Sequence, residues 1–174
     1  MTMCATGRAK SIKEEFQTDE LGSAVTTNAV IDGDDATLDA TSSTTRVFNY
    51  TQISDKTVVI SGSQEAVDKA GRKSEIAYQV AKKGKELKRD MESVLKSNQA
   101  QAVGTSTTAR KLGGLGSWIA TNDVFGTGGA SPTGDGTDAR TDGTQRAFTE
   151  AQLKAVIKSA WNEGGAPSAV MVGP

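Results

Sequence analysis

A single long helix, predicted over residues 74–98, constrains this chain more than any other feature. Apolar or small residues recur there in steps of three and four, which places them along one stripe of an α-helix. At 1.5 Å per residue the helix runs roughly 37 Å, longer than a small domain's core needs. We expect the stripe to pack on the chain's own body, with Leu87 at its centre. Its members are Ile76, Val80, Gly84, Leu87, Met91, Val94 and Leu95.

The composition predicts a thin core and no general attraction to polyanions. Only 5% of the 174 residues are aromatic. Lys and Arg total 20 against 21 Asp and Glu, so the net charge of −1 provides no overall field toward nucleic acid or membrane. The single cysteine, Cys4, fits a reducing compartment. Because no apolar run approaches the ~20 residues of a membrane helix, we expect a cytosolic protein without a membrane partner.

Residues that carry catalysis are mostly missing from the sequence. It contains no histidine, which excludes Ser-His and Cys-His nucleophiles and histidine metal sites. The aspartates around Gly33 lack the spacing of a calcium loop and predict an acidic turn. The glycines of 126–143 match neither a Walker loop nor a dinucleotide-binding loop. We therefore expect no enzyme activity, no cofactor and no metal.

The first third of the chain predicts an arm followed by a β-hairpin. Residues 1–45 offer too little apolar surface to offset their ordering entropy, so the arm is either mobile or laid on another surface. Two runs rich in β-formers follow at 46–53 and 56–62, joined by Ser54 and Asp55. This pattern is typical of a hairpin.

The predicted hairpin is apolar on both faces. Val47 and Ile53 point to one side of the first strand, while Phe48 and Tyr50 point to the other. A two-stranded hairpin is marginal by itself, so it needs a supporting surface, its own chain's or a neighbour's. An ordinary edge hairpin of one globular domain explains the composition equally well.

A short helix is predicted at 64–70, capped by Ser63 and ended by Gly71. It leads into the long helix, which Ser74 caps.

The long helix also carries a basic side. Lys82, Lys85 and Arg89 fall together, and such a stripe could face nucleic acid. The alternative is an ordinary solvated face, because Lys82 with Glu86, and Lys88 with Glu92, have the spacing of i,i+4 ion pairs. We favour the solvated face.

The second half of the chain predicts a Gly-rich region and one more helix. A small apolar patch at 109–125 precedes the long loop of glycines. Phe148, Thr149, Gln152 and Leu153 combine a hydrophobic staple with a capping box, so a helix is expected from Glu150. Gly164 and Gly165 end it, and 168–172 predicts a buried strand that looks like the beginning of a second domain.

Several stretches in this order resemble the major head proteins of tailed bacteriophages, and the resemblance covers most of the chain. The stretches are FQTDEL from Phe16, NAVIDGDDAT from Asn28, RVFNYTQI from Arg46, KTVVISGSQEAVDKAGRKSEIAYQVAKKGKELKRD from Lys56, ARKLGGL from Ala109, DGTQRAFTEAQLK from Asp142, and MVGP at the end.

The resemblance implies an α+β fold of the Hong Kong 97 capsid type. It also implies a structural head protein that assembles in the host bacterial cytoplasm, through pentamers and hexamers, into the icosahedral shell of a virion around phage DNA. Other virion proteins are candidate partners. The implied regions are an N-terminal arm at 1–45, an extended hairpin loop at 46–62, a short helix and spine helix at 63–101, a peripheral region with its Gly-rich loop at 102–147, and the start of a truncated axial domain at 148–174.

Two sets of candidate site residues follow. Some capsids of this fold link a lysine to an asparagine, and Lys56 lies near the predicted hairpin tip, although no motif supports a cross-link. The alternative function is a nucleic-acid-associated module that uses the basic side of the long helix. The inter-subunit candidates are Val47, Phe48, Tyr50, Ile53 and Lys56, and the DNA-facing candidates are Lys82, Lys85 and Arg89.

Overall fold

The computed structural model describes residues 7–68 and 70–171. It combines one small sheet with helices, which confirms the α+β class. The elements are β1 (Lys13–Thr18), β2 (Thr45–Tyr50), α1 (Gly62–Ala66), α2 (Glu75–Lys96), a 3-10 turn (Leu115–Ser117) and α3 (Glu150–Asn162).

The long helix predicted from periodicity is α2, and its predicted cap is confirmed. Ser74 has extended backbone angles, and its hydroxyl accepts a hydrogen bond from the Ala77 N–H at 3.2 Å. At the other end the Ser97 N–H and hydroxyl both donate to the Val94 carbonyl, at 3.1 and 2.7 Å. The helix therefore ends two residues before the predicted limit, because Ser97 terminates its last turn.

The short helix is present but begins earlier than predicted. It spans Gly62–Ala66, and the cap is Ser61, whose hydroxyl accepts from the Gln64 N–H at 3.3 Å. The Glu65 carboxylate accepts from the Glu75 and Ile76 N–H groups at 2.9 and 3.3 Å. This contact ties α1 to the first turn of α2, and a serine two residues earlier satisfies the cap equally well.

The predicted hairpin of 46–53 with 56–62 is wrong. β2 pairs instead with β1 in an antiparallel sheet whose register runs from Lys13 opposite Tyr50 to Thr18 opposite Thr45. Residues 51–61 form no strand, and within them Lys56 pairs with Asp90 on α2. Val58 to Ile60 have the composition of a strand, but this segment has the polar contact of Lys56 with the helix in place of strand pairing. Strand pairing depends on tertiary context more than on the propensity of a segment.

The last helix follows its local signals. The Thr149 hydroxyl accepts from the Gln152 N–H at 3.4 Å, and the Gln152 side chain accepts from the Thr149 N–H at 3.2 Å. Gly164, with φ of 82°, follows the helix end. The predicted strand at 168–172 is not formed over 168–171, and Val172 lies outside the described residues. No strand of the described part lies alongside to complete its hydrogen bonds.

The interior is built from backbone rather than from apolar side chains. Among the described residues Pro132 is the one buried residue with an apolar side chain larger than a hydrogen atom, and no Ala, Val, Ile, Leu, Met, Phe, Trp or Tyr is buried. The buried positions near the end of α2 are Gly113, Gly114, Ser117 and Gly136. The expected packing of the predicted seven-residue stripe on the chain's own body is therefore wrong for most of its members: Leu87 and Val94 are half-buried, and the other five are exposed.

Candidate interaction surfaces

The inner face of the sheet packs on the chain itself. Strand alternation places Phe16, Val47 and Asn49 on this face. The Phe16 ring lies 5.2 Å from that of Trp118. The Asn49 amide accepts from the Gly113 N–H at 2.8 Å and donates to the Gly113 carbonyl at 3.2 Å. Val47, a candidate contact residue, thus faces its own chain.

The outer face of the sheet carries the two predicted aromatic residues. The rings of Phe48 and Tyr50 meet edge to face at 5.5 Å, and the Lys13 ammonium lies 3.9 Å from the Phe48 centroid. Lys13 also pairs with Glu15 at 2.9 Å, and this hydrogen bond lowers the pKa of the Glu15 carboxyl. Both rings are only half-buried. The face is an amphipathic patch of a kind that protein interfaces use.

The remaining two contact candidates lie beyond the sheet. Ile53 follows β2 and is 83% exposed. The Lys56 ammonium is 2.6 Å from an Asp90 carboxylate oxygen on α2. The hydrogen bond and charge of Asp90 raise the pKa of Lys56. The five candidates are therefore not brought together in one place.

The apolar side of α2 is not the side that the chain covers. The half-buried positions include Gln79, Lys83, Glu86 and Asp90. At about 100° per residue, this covered side is rotated by roughly a quarter turn from the centre of the apolar stripe. Leu87 and Val94 lie at the boundary and are half-buried. The exposed members are Ile76, Val80, Met91 and Leu95, at 47%, 55%, 41% and 38% exposure. We call these four residues the α2 stripe.

The basic side of α2 is turned to solvent. Lys82, Lys85 and Arg89 are all exposed, and helical spacing places them opposite the α2 stripe. The close ion pair of Glu86 is with Lys83 at 2.7 Å rather than with Lys82 as predicted. The hydrogen bond from Lys83 lowers the pKa of the Glu86 carboxyl, and the Lys82 charge also helps to lower it.

The second predicted pair on this helix is also wrong. Glu92 pairs with Lys96 at 3.4 Å rather than with Lys88. Within residues 7–68 and 70–171, no ion pair is formed by Lys82, Lys85, Lys88 or Arg89. The two i,i+4 pairs expected on a solvated face are therefore not formed, while the exposure of these cations agrees with that interpretation, and a DNA-facing role stays a prediction.

Sequence reasoning missed the side-chain amides that join α2 to the Gly-rich region. The Gln99 amide donates to the Leu112 carbonyl at 2.7 Å and to the Gln52 amide oxygen at 3.0 Å. The Asn98 side chain donates to the Arg140 carbonyl at 2.7 Å and accepts from its N–H at 2.9 Å. The signal was the run of Asn and Gln directly after the helix, beside a segment too rich in glycine to pack by side chains.

We examined the described residues for a groove, a metal-binding cluster and a membrane-spanning helix. An open groove of about 590 Å³ lies between α3 and the Gly-rich region, where Ile119, Phe125 and Val156 form part of its lining. The described residues hold no group of three His, Cys, Asp or Glu side chains placed to bind a metal ion. Their helices also include none whose length and apolarity would allow it to cross a membrane.

The described part of the chain thus has apolar and basic faces that its own residues leave uncovered. A family model described as SU10 major capsid protein matches residues 1–174. The chain belongs to this family of structural capsid proteins. Over 86 residues it is also 41% identical to a major capsid protein of Escherichia phage Phieco32, a match that covers 49% of this chain and 24% of that protein. The chain thus spans about a quarter of the length of the curated relative.

Proposed function

We propose that this chain is part of a shell subunit that assembles with copies of itself, through pentamers and hexamers, into an icosahedral capsid around phage DNA. The subunit is assembled in the host bacterial cytoplasm and is then part of the virion. Other virion proteins are candidate partners. The subunit has no enzyme activity. Membership of a major capsid protein family supports this role.

The observation that carries the proposal is the extent of uncovered apolar surface. Apart from Pro132, no residue with an aliphatic or aromatic side chain is buried in the described part, while four apolar residues of α2 are exposed and the two rings on the outer face of the sheet are half-buried. Soluble monomers rarely expose contiguous apolar patches of this kind, because burying apolar surface contributes about 25 cal/mol per Å². Contacts with other copies would cover it.

The proposal includes an organisation of the Hong Kong 97 type with one change of boundary. The extended hairpin is assigned to β1, β2 and the 19–44 connection between them, instead of 46–62, because these strands pair. The arm is correspondingly shorter than 1–45. Helix α2 remains the spine within 63–101, and 102–147 and 148–174 remain the peripheral region and the start of the axial domain.

Assembly is the direct test of the shell role. We expect the full-chain protein to form closed shells or rings of five or six copies as its concentration rises, because association buries the uncovered faces. Negative-stain microscopy and analytical ultracentrifugation measure this. A compact monomer across the whole concentration range would contradict the proposal.

We propose contact with packaged DNA as a second role, through Lys82, Lys85 and Arg89. The supporting observation is that these cations share the solvent side of α2 and form no ion pair among the residues described. Free cations on one helix face can replace counterions along a phosphate backbone.

Replacing all three cations with alanine is expected to lower the affinity for DNA and to make that affinity less dependent on salt concentration. Each phosphate contact contributes about −0.9 to the slope of log K against log salt concentration, so the slope should change by about 2 to 3. Fluorescence anisotropy with a duplex at several salt concentrations measures it. The matched control replaces Lys111, Lys154 and Lys158 and should leave the slope unchanged. Equal slopes in both variants would remove the DNA role.

A further inference from the structure

We infer that a groove at the C-terminal end of α2 binds one backbone phosphate of DNA, and that Glu92 competes with this phosphate for Lys96. The inference rests on the proposed DNA contact through Lys82, Lys85 and Arg89. It adds to that contact a binding site with a defined set of hydrogen-bond donors and a carboxylate that weakens it.

An open groove of about 420 Å³ lies along the last two turns of α2. Arg89, Ser93 and Lys96 are all exposed and follow one another at intervals of four and three residues, so they share one face of the helix. The serine side chains are short, which leaves a depression between the two long cationic side chains. The lining residues are Arg89, Glu92, Ser93, Lys96 and Ser97. We call this surface the α2 groove.

The donors of the α2 groove suit a phosphate diester. Arg89 has a planar guanidinium, which binds phosphate oxygens through paired hydrogen bonds. The Lys96 side chain is 60% exposed, and the Ser93 hydroxyl is a further donor between the two cations. The Ser97 hydroxyl is already used, because it donates to the Val94 carbonyl at 2.7 Å. Two positive charges and one hydroxyl can therefore meet a single anion in the groove.

A carboxylate of the helix already occupies part of the α2 groove. The Glu92 carboxylate lies 3.4 Å from the Lys96 ammonium, and the Glu92 side chain is 45% exposed. The neighbouring pair of Lys83 with Glu86 is closer, at 2.7 Å. An exposed i,i+4 ion pair contributes little to stability. A phosphate that also binds Arg89 can therefore displace Glu92 from Lys96.

The α2 groove continues the basic side of the helix. From Lys82 to Lys96 this side is roughly 21 Å long, at about 1.5 Å per residue. Duplex DNA carries about one negative charge per 1.7 Å of its axis, so a helix that lies along the duplex meets several phosphates over this length. The groove therefore adds one contact at the end of a line of phosphate contacts.

An acidic protein segment fits this side of α2 less well than DNA does. The centre of a protein interface is usually apolar. The exposed apolar residues of the α2 stripe lie on the opposite side of the helix. None of the described residues that line the groove has an apolar side chain. A ligand that is bound through charge and hydrogen bonds alone, such as a phosphate backbone, is therefore favoured.

Removing the competing carboxylate tests the inference through a gain of affinity. In the full-chain protein, Glu92→Gln should raise the affinity for duplex DNA about two- to fivefold, since the phosphate no longer has to break an exposed ion pair. Fluorescence anisotropy with a labelled duplex at constant salt concentration measures it. A misfolded variant cannot produce such a gain.

An equivalent ion pair on α3 supplies the matched control. Glu150 pairs with Lys154 at 2.7 Å, also with i,i+4 spacing, and both side chains are exposed. Glu150→Gln changes the net charge by the same amount as Glu92→Gln. It should leave the affinity for DNA unchanged, because Lys154 is not part of the basic side of α2.

Replacing the lysine of each pair tests the contact in the opposite direction. Lys96→Gln should make the slope of log K against log salt concentration shallower by about 0.9, the contribution of one phosphate contact. Lys154→Gln should leave this slope unchanged. Circular dichroism confirms that both variants remain folded.

Polyglutamate distinguishes an acidic protein segment from DNA as the ligand. Its affinity for the unmodified chain and for Glu92→Gln is measured by competition with the labelled duplex. A gain for polyglutamate without a gain for DNA would assign the groove to an acidic polypeptide and overturn the inference.

The outcomes separate this inference from the proposed DNA role. An affinity that Glu92→Gln does not raise, or a slope that Lys96→Gln does not change, overturns the groove as a phosphate site. The DNA role then still stands if replacing Lys82, Lys85 and Arg89 lowers the slope. A chain that does not bind the duplex at any salt concentration contradicts both.

Discussion

Replacing Gly114 with alanine is expected to lower the free energy of unfolding by about 3 kcal/mol, at the upper end of ordinary overpacking effects. A Cβ at this position would collide with the Ser97 carbonyl oxygen and would lie 3.1 Å from that of Val94. Backbone surrounds the site, so no side chain can move aside. A loss of this size is a large fraction of a typical domain's stability. Urea unfolding followed by Trp118 fluorescence measures it.

A second glycine provides a control with the opposite sign. Gly84 lies within α2, and a Cβ there would meet nothing within 4 Å. Gly84→Ala should therefore raise the free energy of unfolding by about 0.5–1 kcal/mol through helix propensity alone. If Gly114→Ala is as stable as the unmodified chain, the close approach of α2 to the Gly-rich layer is not present in solution.

The parts of the fold predictable from sequence are those whose signals are local. Ser74 and the apolar period define α2, and Thr149 with Gln152 defines the start of α3. A cap and its first turn lie within a few residues, so neighbours in sequence are also neighbours in space. The start of α1 was misplaced because Ser61 and Ser63 are equivalent by composition, and only the contact of Glu65 with α2 distinguishes them.

Strand pairing was not predictable in the same way. β2 was recognised as a strand, but its partner is β1, across the 19–44 loop, rather than the nearer 56–62 run. Local propensity gives a segment's tendency to be extended, whereas the register depends on which faces find a surface. Here Phe16 packs against Trp118, and Asn49 hydrogen-bonds to Gly113. These contacts favour the pairing of β1 with β2.

The sequence predicts which candidate residues share a face, but it does not predict their ion pairs or which faces are covered. Helical periodicity correctly groups Lys82, Lys85 and Arg89, while the ion pairs expected to neutralise this helix involve other lysines. Strand alternation correctly separates Val47 from Phe48, while the assignment of Ile53 to the same strand fails because β2 ends at Tyr50. The Gly-rich layer determines which faces of α2 and of the sheet are covered. Because this layer packs through backbone and amide contacts, no pattern of side chains in the sequence predicts which faces these are.

Replacing Phe48 and Tyr50 with serine is expected to abolish assembly while leaving the chain folded. Both rings lie on the outer face of the sheet, away from Trp118 and the Gly-rich layer, so their loss removes few contacts to the interior. Buried aromatic residues often contribute about 2 kcal/mol or more each to an interface. The double variant should therefore weaken association by at least about 1,000-fold. Light scattering follows assembly, and thermal unfolding followed by circular dichroism reports the fold.

The opposite face of the same sheet supplies the matched control. Phe16→Ser removes the ring that packs against Trp118, with a centroid distance of 5.2 Å, so it should lower the melting temperature. Because Phe16 lies on the inner face, its surviving folded fraction should still associate. The two variants should therefore have opposite effects. The double variant of Phe48 and Tyr50 should lose assembly and keep its melting temperature, whereas Phe16→Ser should melt at a lower temperature and keep assembly. A double variant of Phe48 and Tyr50 that melts early and assembles normally would place the aromatic face within its own subunit and contradict its role between copies.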